Sequence, residues 1–395
     1  MAGALEGLKV LDLSRVVAGP MCAMMLADLG ADVIKVERPI AGDDTRTWGP
    51  PYVGTESAYY LCVNRNKRSI TVDIKSEAGR DLVRRLARGS DVLVENYKTG
   101  NLDRLGLGYE SLREENPGLI YCSITGYGHT GPDAYQPGYD FVIQGRGGIM
   151  SITGEADGPP MKVGLAIVDV TAAMNATIAV LAAVEARRRT GLGQMIDIAL
   201  LDSHVAWLIN HASNYLVAGE VSKRRGNSAP NITPYGSYKA SDGWFNIAVG
   251  NDSQFRRLCE LIGAPELSTD PRFATNPGRV ENDAQLVAIL GEHFAQRSTA
   301  EWLDLFYKGN IPAGPIKSIP EVMEDPQVLA REMIVEMPHP TAGSVRLVGS
   351  PLKLSETPVT YRSPPPLLGE HTDQILVEFG YSEEQIAALR AEGVV

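Results

Sequence analysis

Cysteine and histidine are scarce in this chain, and neither is spaced to hold a metal. The cysteines, Cys22, Cys62, Cys122 and Cys259, are 4 among 395 residues. None forms a Cys-x-x-Cys pair, so neither a zinc site nor a disulfide framework is indicated. The histidines show no His-Glu-x-x-His spacing, and no metal is expected. Both common phosphate signatures are missing: there is no Gly-x-Gly-x-x-Gly fingerprint and no Walker A sequence, which leaves a nicotinamide or nucleoside triphosphate cofactor unsupported. Positive charge is in deficit. A net charge of −11 repels nucleic acid and anionic membranes over a Debye length, so neither is an expected partner, and an anionic ligand needs a local basic pocket. No uninterrupted run of roughly 18 apolar residues occurs, and Met1-Ala-Gly-Ala-Leu-Glu-Gly-Leu-Lys lacks the regions of a signal peptide. A cytoplasmic protein is expected.

What is present is an ordinary globular composition, 44% hydrophobic and 22% charged, with length enough for two domains. Leu8-Lys-Val-Leu-Asp-Leu reads as a buried strand. A Gly-Pro turn, a helix over 21–30 closed by Gly30, and the strand Ala31-Asp-Val-Ile-Lys-Val-Glu follow it. This is a βαβ unit and therefore a parallel sheet. The pattern returns with a strand from Ser69, a helix over Glu77 to Arg88, and strands at 92–95, 119–124 and 191–198. An α/β fold with a doubly wound, Rossmann-like domain covers roughly the first 200 residues. A long helix is expected over 202–217. The polar stretch from Val221 to Pro234, broken by Pro and Gly, reads as a linker into a second, smaller α+β unit. That unit has a strand hairpin at 235–249 turning at Ser241-Asp-Gly, then helices at 253–262, 282–296 and 299–308. The remainder is strand-rich and ends in a helix pair.

Three features can carry chemistry. Asp169 stands alone after a mostly apolar run and before a small-residue helix start, which admits two readings. It is an N-cap, or it is a half-desolvated carboxylate nucleophile facing a cleft. The loop Ser14-Arg-Val-Val-Ala-Gly-Pro leaves the carboxyl end of the first strand, the edge where such sheets bind ligands. Basic residues gather at strand ends: Arg38, Arg46, Arg65, Lys67, Arg68, Lys75, Lys98 and Arg104. They form either a polyphosphate site or solvated loop charge. The Gly- and aromatic-rich stretch from Tyr127 to Gly148 is a long loop of the kind that lines a site.

Ordered along the chain are Leu5-Glu-Gly-Leu-Lys-Val-Leu-Asp-Leu, Ala18-Gly-Pro, Leu29-Gly-Ala-Asp-Val-Ile-Lys-Val-Glu-Arg-Pro, Asn66-Lys-Arg-Ser-Ile, Asp91-Val-Leu-Val-Glu-Asn-Tyr, Gly126-Tyr-Gly, Pro137-Gly-Tyr-Asp and Pro366-Leu-Leu-Gly-Glu-His-Thr. Together they resemble the class III CoA-transferases, the formyl-CoA transferase/carnitine CoA-transferase family. Gly42-Asp-Asp-Thr-Arg-Thr-Trp-Gly-Pro-Pro, Val53-Gly-Thr-Glu-Ser and Tyr121-Cys-Ser-Ile-Thr-Gly-Tyr-Gly are most similar to its succinyl-CoA:glutarate (hydroxymethylglutarate) branch.

The resemblance implies a large domain over 1–220, a small domain over 221–325, and a return of 326–395 to the large domain. It also implies a homodimer of interlocked rings. No permanent cofactor is implied; coenzyme A is substrate and product. Asp169 falls where the family has its nucleophile. The implied CoA contacts fall on Val17, Ala18, Arg38, Val72, Asp73, Ile74, Lys75, Asn96, Tyr97, Lys98, Arg104, Pro137, Gly138, Tyr139 and Asp140. CoA would pass from an acyl-CoA, such as succinyl-CoA, to a free acid, such as glutarate. The resemblance also leaves Arg15, Arg46 and Arg65 as cations able to clamp a distal carboxylate, with core-loop salt bridges as the alternative for each. The family's glycine-rich flap is reduced here to Ala248-Val-Gly-Asn-Asp-Ser-Gln, with Gly250 its only glycine, which argues against formyl or oxalate as substrates. An α-methylacyl-CoA racemase shares this superfamily but needs a second base. That base is a His in a Gly-His-Asp context, and the chain reads Gly138-Tyr-Asp. A phenol is a poor base at neutral pH.

Overall fold

The computed structural model describes residues 3–395. Contacts divide the chain into two units. One comprises residues 3–147, 163–208 and 326–395, and the other residues 148–162 and 209–325.

The first unit is built on six strands: β1 (Lys9–Asp12), β2 (Asp32–Glu37), β3 (Lys67–Thr71), β4 (Val92–Glu95), β5 (Ile120–Thr125) and β6 (Met195–Ala199). They hydrogen-bond in the order β3-β2-β1-β4-β5-β6, and every pair is parallel. The order reverses between β1 and β4. Such a switch point leaves a crevice beyond the carboxyl ends of the strands.

These strands read as continuous apolar runs because both faces are buried. Alternate residues divide between two cores: Val10, Val33, Val92 and Cys122 face one side, while Leu11, Ile34, Leu93 and Tyr121 face the other. The first core is shared by α1 (Ala18–Asp28), whose Cys22, Ala23 and Leu26 enter it. The second is closed by α2 (Glu77–Arg88), capped by the Ser76 side chain, with Leu82, Val83 and Leu86 turned inward. After β5 come α3 (Asp140–Arg146) and α4 (Ile167–Thr190). Small residues of α4, Ala172, Ala173 and Ala176, enter the first core beside α1. The helix ends at Gly191, whose φ of 73° is the left-handed cap that favours glycine. By length and composition α4 could cross a membrane, with a mean hydropathy of 1.9 over its most apolar window, yet half of that window is buried in the structure. Asp169, Thr171, Asn175 and Thr177 interrupt it as an apolar run.

Beyond β6 the chain differs from the expected single helix over 202–217. It forms α5 (Leu200–Val205), a 3-10 turn over Ala206–Leu208, and α6 (Ile209–Ala218). The break falls at Ile209, held at a φ of 26°, a conformation that side chains branched at Cβ rarely adopt. The boundary between units lies there rather than at residue 220, and 148–162 joins the second unit. No Gly or Pro marks the break at Ile209, whereas Gly147 and Gly148 stand where the chain first enters the second unit.

The second unit contains β7 (Tyr235–Lys239) and β8 (Trp244–Ala248), an antiparallel hairpin, with β9 (Ala313–Pro315) antiparallel on the far side of β8. Helices α7 (Asp252–Ile262), α8 (Asp283–Phe294) and α9 (Thr299–Lys308) pack around a ring cluster in which Phe294 meets Tyr238, Phe245, Trp302 and Phe306. Residues 326–395 belong to the first unit. After a hairpin of β10 (Ile334–His339) and β11 (Gly343–Val348), α10 (Thr372–Glu378) sets Ile375 and Leu376 into the second core, and α11 (Glu383–Ala391) follows.

Candidate active site

Loops at the carboxyl ends of β1, β4 and β5 build the site. Asn96, just past β4, clamps the loop after β1: its Oδ1 accepts the Arg15 N–H at 2.8 Å, and its Nδ2 donates to the Arg15 carbonyl at 2.6 Å. Val16 sits at a φ of 72°, strained for a valine. Its N–H is aimed at the Asp43 carboxylate, 3.2 Å away, which Lys35 pairs at 2.9 Å with both side chains fully buried. Lys35 also donates to the Ser14 carbonyl. A buried ion pair thus holds the loop in shape, and the nearby Lys35 ammonium keeps the Asp43 carboxyl low, at about 2, against the opposing effect of burial.

Past β5, Gly126 and Gly138 meet backbone to backbone. A Cβ on Gly138 would lie 2.5 Å from the Gly126 Cα, and one on Gly126 would lie 2.7 Å from the Gly138 Cα. Only glycine permits that approach. It brings Pro137, Gly138 and Tyr139 to a cavity of about 330 Å³ lined also by Arg15, Val16, Val17, Ala18, Asn96, Tyr97, Lys98, Thr99, Asp169 and Leu200.

Asp169 is the third residue of α4, and among the described residues no donor hydrogen-bonds its carboxylate. The N-cap reading is therefore corrected. Asp140, at the start of α3, performs that task from across the loop, accepting the Val168 N–H at 2.7 Å and approaching the Asp169 N–H at 3.4 Å. Its other oxygen accepts from Gln144 Nε2 at 2.6 Å. Both Asp140 oxygens are thus engaged inside the fold. Burial, and then the Asp140 charge, push the Asp169 carboxyl up to about 7.

A second cavity, about 660 Å³, is lined by Arg38, Asp73, Ile74, Lys75, Asn101 and Arg104. Arg15 and Tyr97 line both cavities, with the Arg15 guanidinium 5.2 Å from the Tyr97 ring centre. Val72 lines a small gap beside Arg38, Ile74 and Tyr97.

The basic residues at the strand ends thus divide. Arg38, Lys75, Lys98 and Arg104 line cavities, Arg38 with a half-exposed ion pair to Asp44, whereas the others are held in ion pairs away from them. Arg46 is gripped by Glu37 at 2.7 Å on both Nε and Nη2 and donates to the Tyr60 hydroxyl. Arg65 pairs with both oxygens of Asp28, at 3.0 and 2.6 Å, and caps the Val348 carbonyl. Both guanidiniums are engaged in these partly or fully buried pairs and line neither cavity, whereas Arg15 lines both. Lys67 is buried on Asp12, and Arg68 bridges Asp32 and Glu378. Gly250 lies in the second unit, past β8, its N–H bonded to Gln254 Oε1 at 2.8 Å.

Some site residues carry no sequence signature. Thr99 Oγ1 and Arg15 Nε, both on the cavity wall, are buried without a protein partner. Tyr59, its phenol pushed up by burial and then by the Asp169 charge, stands edge-on to Trp48 at 5.2 Å. Tyr59 lies on a short helix over Ala58–Leu61, and nothing in the sequence marks it.

A doubly wound sheet whose switch point opens on a carboxylate with no hydrogen-bond donor among the described residues and on a set of solvent-accessible cations suits acyl transfer from a phosphorylated carrier. The pattern of CoA-transferase family III matches residues 5–372, and the chain belongs to that family, whose enzymes use CoA as substrate. Among its relatives, the succinyl-CoA:glutarate CoA-transferase of Homo sapiens is 46% identical over 392 residues, spanning 99% of this chain and 90% of that protein. The succinate–glutarate CoA-transferase of Agrobacterium fabrum is 47% identical over 380 residues, 95% of each. A solved CAIB/BAIF family protein from Brucella suis has a TM-score of 0.87 at 48% identity, spanning 96% of this chain and 100% of that one.

Proposed function

We propose that this transferase moves CoA from succinyl-CoA to a dicarboxylate of the glutarate type, with Asp169 as the covalent carrier. The observation that carries the reading is the Asp169 carboxylate itself. It is half-buried on a cavity wall with no hydrogen bond to blunt it, near the positive end of a long helix. Attack on the thioester carbonyl expels CoA thiolate and forms a mixed anhydride. The thiolate then attacks the aspartyl carbonyl, releasing succinate and leaving an aspartyl-CoA thioester. An acceptor carboxylate displaces CoA into a second anhydride, and the thiolate's attack on the acceptor carbonyl completes the exchange and restores the aspartate. Carboxylates are weak nucleophiles, so much of the rate must come from holding CoA in place, and water must be kept from the anhydrides.

Arg38, Lys75 and Arg104 suit the phosphates, Arg by bidentate contact and Lys as a point charge. Val17, Ala18, Asn96, Tyr97 and the run Pro137 to Tyr139 would flank the arm reaching Asp169. Arg15 remains for the distal carboxylate, a role supported by its position and its unsatisfied Nε. The names of both transferases above favour a dicarboxylate pair. We further propose a cytoplasmic homodimer. Support comes from Phe141 and Val142 on α3 and Met174 and Ile178 on α4, apolar side chains left exposed in the single chain.

The test is to incubate the protein with succinyl-CoA, trap with hydroxylamine or borohydride, and score the peptide containing Asp169 by mass spectrometry. Modification there, absent from Asp169→Ala, is the expected result. Absence of modification together with proton exchange at Cα of a branched acyl-CoA would mark an isomerase instead. An acceptor panel in which only monocarboxylates take CoA would overturn the dicarboxylate reading.

A further inference from the structure

We infer that Asp44 is an internal counter-anion that tunes the affinity of the cavities for acyl-CoA, occupying two arginines in the free protein and releasing them when the ligand's anionic groups arrive. The inference rests on reading the two cavities as one CoA site. Asp44 opens the short 3-10 turn after β2, and its two oxygens serve different arginines: Oδ2 accepts from Arg15 Nη1 at 2.8 Å, and Oδ1 from Arg38 Nη2 at 2.5 Å. Asp44 lines the cavity that contains Asp169, Arg38 lines the larger one, and Arg15 lines both. The three side chains therefore form a strap across the boundary that an acyl-CoA reaching from cation to nucleophile must cross.

Several observations make the strap a device to be opened. Its side chains are solvated, at 32% exposure for Arg15, 37% for Asp44 and 43% for Arg38, and ion pairs in such surroundings are weak. The neighbouring Asp43 is the opposite case, buried, paired with Lys35 and supporting Val16. The remaining cavity cations, Lys75, Lys98 and Arg104, have no carboxylate partner among the described residues, so the internal anion is placed selectively. Nor does Asp44 satisfy Arg15, whose Nε stays buried without an acceptor. A phosphate or carboxylate entering here competes with Asp44 for the same forks and is repelled by it while it stays.

The experiment is calorimetric titration of the full-length protein with CoA and, separately, with 3′,5′-ADP, for the unaltered chain, Asp44→Asn and Asp44→Ala. Both variants are expected to bind CoA roughly three- to tenfold more tightly, with a steeper loss of affinity as salt is added. Equal or weaker binding in both variants, at an unchanged thermal midpoint, would overturn the inference while leaving the CoA site intact. Failure of the unaltered protein to bind either ligand would overturn the CoA reading and this inference with it.

Discussion

A carboxyl group whose pKa is near 7 is half protonated at neutrality, and only its anion attacks a thioester. Burial and the Asp140 charge raise Asp169 to about 7, so acyl transfer should fall away on the acid side of that value. In Asp140→Asn the amide oxygen can still accept the Val168 N–H while the charge is gone. The acid limb of kcat/KM should move to lower pH by part of the displacement, since burial is the larger cause; an unmoved limb would show that Asp140 does not act on Asp169 electrostatically. The same shift has a sign for stability. A carboxyl that binds its proton more tightly folded than unfolded, with an ordinary value near ~4, costs stability as pH climbs from about 4 to 7. Asp169→Asn should therefore be more stable at pH ~8, by on the order of 1–3 kcal/mol, and the gain should shrink toward pH ~5 in thermal melts. Among the arginines, sequence could not separate Arg15 from Arg46 and Arg65. All three lie in the connections between strands, and what sets them apart is whether Glu37 or Asp28 lies within reach.

At the scale of elements, the site depends on two loops that touch where neither has a side chain. Gly138→Ala would place a methyl 2.5 Å from the Gly126 Cα, forcing apart the turns that present Pro137 to Tyr139. The expected outcome is a rise of roughly tenfold in KM for acyl-CoA and a loss of about 1–3 kcal/mol in stability. Wild-type values for both would mean the loops can part freely. The strands and α2 were legible because their signals are local: strands buried on both faces form unbroken apolar runs, and Ser76 caps a helix with one apolar stripe. The capping of α4 was not, because Asp140 lies 28 residues from Val168 in sequence. The kink at Ile209 was equally hidden, since nothing in its immediate residues demands a positive φ.

For the whole molecule, charge is distributed against its own average. The chain carries −11 overall, yet Arg38, Lys75, Lys98 and Arg104 converge on the two cavities. Clefts of one sign concentrate ligands of the other, and salt screens that effect. KM for succinyl-CoA should rise between about 50 and 300 mM salt with kcat nearly constant, and a salt-independent KM would exclude the cationic cavities as the phosphate site. Period, run length and punctuation along the chain determined the parallel sheet, its crossovers and the placing of a lone carboxylate at a helix start, because each is a matter of neighbours within a few residues. Which cations stay free, which aspartate caps α4 and which glycines touch were decided by the tertiary structure alone. Those outcomes depend on desolvation and on partners that only folding brings within hydrogen-bond reach.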